Sequence, residues 1–192
     1  DADTIHNPTI QKVGDKYALF YIGNNLKRSN NFDGHHASTQ RIGLALSDNI
    51  YGPFQRVQQE PIIETSANRK DWDSYLTTNP ALLQHPNGEY WLYYKAWDKY
   101  NDNMRKMGLA IAKDITGPYR KHPKNPLVSF AHLNKQVEDA YVFHAGTKAD
   151  GPVVTTNGGR VLAATSKKKP KWVKVMCHNF HNLVVFCVDS LL

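Results

Sequence analysis

Four carboxylate residues occupy sequence positions from which two of them could act together as a general acid and a general base. Glu138 and Asp139 are adjacent, while Asp1 and Asp73 each precede an Asn-Pro pair with five residues between. Hydrolysis of a stable bond commonly uses one carboxylic acid that donates a proton and one carboxylate that activates water. A carboxyl group near another negative charge has a raised pKa, which suits the acid role. The elements that carry these residues must therefore bring them together.

Those elements belong to an internal repeat with a period of about 70 residues. Four sequence segments recur in the same order in both copies. The matched pairs are Asp1–Ile10 with Asp73–Leu82, Gly14–Tyr21 with Gly88–Tyr94, Ile42–Asp48 with Met107–Lys113, and Tyr51–Phe54 with Thr116–Tyr119. Each copy is typical of four short strands: one after Asn-Pro, an aromatic one after a glycine turn, the Gly-Leu-Ala strand, and one after Gly-Pro.

Four antiparallel strands in each repeat predict a blade of a β-propeller. A solenoid is the alternative, although solenoid repeats are usually shorter, about 20–45 residues. A third repeat starts at Val137–Phe143 and then loses the pattern. The sequence therefore predicts an all-β fold, a partial propeller of four-stranded antiparallel blades with two clear blades and a divergent third. We expect residues 1–145 to form the blades and 146–192 to form a divergent β segment that completes the same domain.

Composition and charge exclude two classes of partner. No apolar run approaches the roughly 18 residues of a membrane helix, so we predict no membrane partner. The net charge of +7 raises the question of nucleic acid, but the basic residues are scattered except for one cluster at 167–171. No nucleic-acid module accompanies them, so we predict no nucleic-acid partner and interpret the cluster as a solvated loop, with polyanion binding as the alternative. The two cysteines form no disulfide framework.

An ordered set of motifs in residues 1 to about 145 indicates a family. The motifs are His6-Asn7-Pro8-Thr9, Thr39-Gln40-Arg41-Ile42-Gly43, Thr77-Thr78-Asn79-Pro80, Tyr94-Lys95-Ala96 and Glu138-Asp139-Ala140-Tyr141. The set resembles the five-bladed β-propeller glycoside hydrolases related to family 43. The resemblance implies hydrolysis of glycosidic bonds in oligosaccharides of plant or algal type. It also implies an extracellular or periplasmic location, although the first residues do not read as a signal peptide.

The resemblance assigns roles to the carboxylates. In such propellers the residues around Asn-Pro of each blade converge on one pocket, which places Glu138 as the general acid with Asp139 beside it. Asp73 and Asp1 become candidates for the base and for tuning the pKa of the acid, with Asp73 preferred as the base because Asp1 is terminal. Inverting glycosidases keep their two carboxyl groups about 6.5–9.5 Å apart, so separate blades can supply them. The alternative for Asp1 and Asp73 is a turn residue that bonds its own backbone.

Asp139 and four further residues become candidates for substrate binding. His6, Arg41 and Lys95 would be polar pocket residues, with Arg41 offering its fork of donors to a substrate and Lys95 tuning a carboxylate. Trp97, at a strand end, would stack on a sugar ring, whereas Trp91 is expected to pack between sheets. The alternative for the polar three is a surface position with satisfied hydrogen bonds.

The remaining predictions concern metals, assembly and rival functions. We predict no protein metal site and no required cofactor, although relatives carry a calcium ion on the propeller axis. Because open blade edges invite pairing, we predict a homo-oligomer. The alternatives to hydrolysis of glycosides are a non-catalytic carbohydrate-binding or degenerate module, a hydrolase of esters or other small substrates, and an interaction scaffold.

Overall fold

A computed structural model describes residues 3–26 and 33–144, together with short strands beyond them. The strands are β1 (Thr4–Val13), β2 (Lys16–Asn24), β3 (Arg41–Ser47), β4 (Gln55–Arg56), β5 (Thr77–Gln84), β6 (Tyr90–Asp98), β7 (Met104–Ala112), β8 (Arg120–Lys121), β9 (Ala140–His144), β10 (Pro152–Thr156), β11 (Lys174–Val175), β12 (Leu183–Val184) and β13 (Phe186–Cys187). Two short 3₁₀ helices lie at His36–Thr39 and Ala131–Leu133. Within the described ranges, no helix has the length and apolarity to cross a membrane.

The strands form two complete blades and the start of a third. Blade 1 has the order β1-β2-β3-β4, and blade 2 has the order β5-β6-β7-β8. Strands β9, β10 and β13 form a three-stranded sheet, and β11 pairs with β12. All pairings are antiparallel. The prediction of an all-β partial propeller is confirmed, while the proposed boundary at residue 145 stays a prediction.

The Asn-Pro pairs lie inside the first strand of each blade rather than before it. The ladder is interrupted between His6 and Thr9 in β1 and between Thr78 and Ala81 in β5. Asn7 and Asn79 occupy the left-handed region, with φ of 48° and 49°. Asparagine tolerates this region and proline has no N–H to donate, so the pair forms a bulge and the strand continues on both sides.

The blades stack face to face through apolar side chains. Phe20, Ile42 and Leu44 of blade 1 belong to one buried cluster with Leu92 and Tyr94 of blade 2. The alternation of side chains along a strand sends the neighbouring residues of blade 2 to its other face.

That other face of blade 2 packs against the third sheet. Trp91, Tyr93 and Leu109 are buried there with Val142 of β9. Trp91 is therefore buried between sheets, as the sequence predicted.

One face of blade 1 lacks such a cover among the described residues. Leu82 and Leu92 pair across blade 2 and are 4% and 0% exposed. Their counterparts in the repeat, Ile10 and Leu19, pair across blade 1, but Ile10 is 45% exposed. Blade 2 buries the face that contains Leu82 and Leu92 against blade 1. The equivalent face of blade 1, which contains Ile10 and Leu19, is therefore open.

Candidate functional site

The first strands of the three sheets meet at equivalent positions of the repeat. The Asn7 side-chain amide donates to Asn79 Oδ1 at 3.4 Å, and the Asn79 amide donates to Asp139 Oδ1. Asn7 and Asn79 are the asparagines of the two Asn-Pro pairs, and Asp139 holds the corresponding place before β9. These contacts connect the three sheets through one chain of side chains, as expected for inner strands that converge.

Glu138 lies beside this chain and is bound by two cations. Lys95 Nζ on β6 is 2.7 Å from Glu138 Oε2, and Arg105 Nη1 on β7 contacts Glu138 Oε1. The backbone holds the Glu138 segment against β7, because the Val137 N–H donates to the Arg105 carbonyl at 3.1 Å. Lys95, which the sequence predicted to tune a carboxylate, contacts the carboxylate of Glu138.

The cations determine how Glu138 ionises. Burial raises the pKa of the Glu138 carboxyl group, but the hydrogen bonds and charges of Lys95 and Arg105 outweigh it and lower the pKa below the ordinary 4.5. The sequence led us to expect neighbouring negative charge and a raised pKa. That expectation is not met, because the groups bonded to Glu138 are positive.

His6 and Asp139 lie on the same convergent side of the blades. His6 occupies the position in β1 that Glu138 occupies before β9, and its Nε2 is 3.3 Å from the Gln40 side-chain amide. Asp139 accepts from Asn79 and is adjacent to Glu138. The structure thus brings His6, Lys95, Glu138 and Asp139 to the region where the first strands meet.

Asp73 and Glu138 have different partners. Its carboxylate is buried, with Oδ2 accepting from the Tyr94 hydroxyl at 3.1 Å and lying 2.6 Å from Lys121 Nζ on the outer strand β8. Burial, followed by the charge of Asp73, raises the pKa of Tyr94. No hydrogen-bond partner of Asp73 within residues 3–26 and 33–144 also binds Glu138. Asp1, its counterpart in the repeat, lies outside the described residues.

Arg41 uses its donors inside the protein. Its Nε donates to Glu64 Oε1 at 2.5 Å, and its Nη2 donates to Thr65 Oγ1 at 3.0 Å. Its Nη1 donates to the carbonyls of Ser38 and Gln40. This pattern matches the alternative of a satisfied surface residue, because little of the fork is left for a substrate.

Trp97 is a half-buried ring at the end of β6. Its Nε1 donates to Asn103 Oδ1 at 3.1 Å, and its ring meets Tyr75 edge to face with centroids 5.0 Å apart. The Arg105 guanidinium carbon is 5.6 Å from the Trp97 ring centroid. Arg105 therefore links the aromatic ring to Glu138.

Sequence reasoning missed Arg105 and the network around Lys99. Lys99 Nζ is 2.6 Å from Asp33 Oδ2 and 2.9 Å from the Tyr75 hydroxyl, which ties the long loop of blade 1 to blade 2. Asp33 gives no local signal of this contact. Arg105 could have been found, because a hairpin that joins β6 and β7 across residues 99–103 pairs it directly with Trp97.

No group of three or more potential ligands from His, Cys, Asp and Glu is found among the described side chains. Calcium takes about six to eight oxygen ligands. Where the first strands meet, Asp139 supplies one carboxylate, and one of its oxygens is bonded to Asn79. The described residues alone do not fit a calcium ion.

The structure resembles solved glycoside hydrolases. A family 117 glycoside hydrolase from the marine bacterium Zobellia galactanivorans matches 82% of the chain with a TM-score of 0.61 and 25% sequence identity. The family 43 enzyme CoXyl43, a β-xylosidase/α-arabinofuranosidase from a compost metagenome solved with xylotriose, matches 81% with a TM-score of 0.58 and 15% identity. The fold is that of family 43 and family 117 glycoside hydrolases. Those enzymes are five-bladed propellers.

The likeness covers only part of those enzymes. An exo-β-1,3-galactanase from Phanerochaete chrysosporium matches 78% of the chain, with a TM-score of 0.53 and 19% identity. The chain spans 40%, 43% and 31% of the lengths of the family 117 enzyme, CoXyl43 and the galactanase, respectively. No family model matches the sequence, and no curated protein matches it.

Proposed function

We propose that this protein is a glycoside hydrolase-like protein that hydrolyses glycosidic bonds in oligosaccharides by carboxylate acid/base catalysis. The observation that carries the proposal is the place of Glu138, next to the converging first strands of a fold shared with glycoside hydrolases. The indole of Trp97 is connected to the same carboxylate through Arg105.

Glu138 acts as the general acid in this proposal. Its protonated carboxyl group donates a proton to the glycosidic oxygen as the bond to the sugar carbon breaks, and a second carboxylate activates the attacking water. His6, Lys95 and Asp139 contact the sugar or hold Glu138 in place, and Trp97 stacks on a ring. The chemistry requires no cofactor, and a calcium ion at the axis would need further oxygen ligands.

The second carboxylate is assigned among three candidates. Asp73 is the least favoured by its surroundings, because its carboxylate is buried and its Oδ2 already contacts both Lys121 and the Tyr94 hydroxyl. Asp139 lies closer to Glu138 in the chain, and Asp1 is the counterpart of Asp73 in the repeat. Separate replacement of each by asparagine, with turnover measured for each, identifies the base.

The test is turnover of a panel of nitrophenyl glycosides and nitrophenyl esters by the purified chain and by Glu138→Gln. We expect a glycoside to be hydrolysed and the Glu138→Gln rate to fall at least about 100-fold, since general acid catalysis contributes about 10²–10⁴. The matched control is Glu89→Gln, which removes a half-buried carboxylate in the turn between β5 and β6. Melting temperatures of both variants show whether each remains folded.

Two results would contradict the proposal. The first is glycoside turnover that survives in a folded Glu138→Gln variant. The second is turnover of esters alone that is insensitive to Glu138 and Asp73, which would favour the rival hydrolase.

A non-catalytic carbohydrate-binding module is the second candidate. One observation favours it: Glu138 is paired with two cations, so among the described residues the carboxyl group is held ionised rather than ready to donate a proton. Sugar binding by calorimetry without turnover of any glycoside would identify this function.

We also propose that the protein self-associates. The open apolar face of blade 1, which includes Ile10 and Leu19, corresponds to a face that blade 2 buries completely. Apolar sheet faces of this kind are stabilised by a second sheet, and another copy of the chain can supply one.

A further inference from the structure

Two cationic groups lie over the Trp97 ring, and one of them also binds Glu138. The Arg105 guanidinium carbon and Lys99 Nζ are 5.6 and 5.8 Å from the ring centroid. A platform for a neutral sugar needs only the apolar ring. Here, a sugar on the ring would also meet positive charge at its margin, so its substituents matter as well as its ring.

Arg105 is the more accessible of the two cations that bind Glu138. Its side chain is 40% exposed, against 13% for Lys95. Only its Nη1 has a hydrogen-bond partner among the described residues, which leaves Nε and Nη2 for a second acceptor. A guanidinium fork matches the paired oxygens of a carboxylate or a sulfate. A neutral hydroxyl group competes poorly with the Glu138 carboxylate for the same cation.

We propose that this surface binds a sugar residue carrying a carboxylate or a sulfate group, and that Arg105 contacts the anionic group. The inference rests on the proposed function, which gives an oligosaccharide as the substrate, and adds that this substrate is anionic. Sharing of the guanidinium with a bound anion reduces the positive charge that Glu138 experiences. The protonated form of Glu138, which an acid catalyst needs, is then easier to populate when substrate is bound.

Binding calorimetry with two matched pairs of probes tests the proposal without requiring turnover. The first pair is trigalacturonic acid and its carboxyl-reduced form, and the second is a sulfated galactan oligosaccharide and its desulfated form. We expect at least one anionic probe to bind about tenfold more tightly than its neutral partner, the scale of one hydrogen bond to a charged group. The preference should fall as salt is added.

Arg105→Gln should abolish the preference, so that the anionic probe of each pair binds no more tightly than its neutral partner. Arg120→Gln, which removes an exposed guanidinium from β8 of the same blade, should leave the preference intact. The two probe pairs distinguish a carboxylate site from a sulfate site. Melting temperatures establish that both variants are folded.

Equal affinity within both pairs, no binding of any probe, or a preference that persists in folded Arg105→Gln would overturn the inference. These results differ from failure of the proposed function. Preferential binding of an anionic probe with no hydrolysis supports the inference and contradicts the enzyme. Hydrolysis of neutral glycosides without preferential binding of an anionic probe supports the proposed enzyme and contradicts the inference.

Discussion

Glu138 and Asp73 show how partners set the role of a carboxylate. Both were assigned to catalysis because of their places in the motifs. Glu138 is partly exposed and shares its charge with Lys95 and Arg105, whereas Asp73 is buried against Tyr94 and Lys121. Removing one partner of a buried ion pair leaves the other charge without compensation, which is costly. Asp73 therefore has a structural role, whether or not it also has a catalytic one.

Arg105→Gln should raise the pKa of Glu138 and reduce the acid sensitivity of the fold. The folded pKa is lowered below 4.5, so Glu138 contributes stability that is present above that value and is lost as the pH falls through the folded pKa. Without one cation the pKa lies closer to its ordinary value, and less stability is lost. Carboxyl carbon NMR titration measures the pKa, and melting temperature against pH measures the stability. An unchanged Glu138 titration would contradict the assigned cause, and Arg120→Gln serves as the control.

The third strands of the two blades, β3 and β7, carry equivalent glycines whose surroundings differ. A Cβ atom on Gly108 of β7 would lie 2.6 Å from Trp72 and 2.8 Å from Asn125. Asn125 cannot easily move, because its amide bonds both backbone groups of Leu109. The nearest atoms to a Cβ atom on Gly43 of β3 would be at least as close, but they are the far end of the buried Tyr21 ring, which is a flexible side-chain end.

Gly108→Ala should therefore destabilise the protein more than Gly43→Ala. Overpacking of this kind costs about 1–3 kcal/mol, and we expect Gly108→Ala to fall in that range with Gly43→Ala below it. Urea unfolding of the two variants measures both costs in the same experiment. A larger loss for Gly43→Ala would show that the Tyr21 ring cannot move aside.

At the scale of the whole molecule, stacking of sheets determines which surfaces remain to be covered. Blade 2 is covered on both faces by described residues, and blade 1 is covered on one. The open face contains Ile10 in β1, whose counterpart Leu82 is buried. This difference follows from position in the stack and not from residue type, since both are apolar.

Ile10→Lys should weaken self-association. A charge in an apolar contact must be desolvated, so we expect the mass in solution to shift toward that of one 21.8 kDa chain. Light scattering coupled to size-exclusion chromatography measures the mass. Ile50→Lys is the control, because Ile50 is similarly exposed but lies in a turn between β3 and β4. A monodisperse monomer of the unaltered chain would refute the proposed association.

The sequence by itself determined the strands, their antiparallel order and the repeat. Turn residues, proline and side-chain alternation act over a few neighbouring residues, so their pattern is visible locally. The starts of β1 and β5 were predicted a few residues too late, after Asn-Pro, because a strand continues through a bulge once its partner strand holds it. The place of Glu138 beside the first strands also followed from the motifs.

Only the tertiary structure decided what surrounds each candidate. Glu138 meets Lys95 and Arg105, which are 43 and 33 residues away in sequence, and Asp73 meets Lys121 from the outer strand of its own blade. Arg41 turned inward to Glu64 and to neighbouring carbonyls. Charges act through space, and no local pattern records which distant side chain a fold brings near. The motifs could therefore indicate that Glu138 lies beside the first strands, but not its ionisation or the structural contacts of Asp73 and Arg41, and the roles of the candidate residues stay predictions.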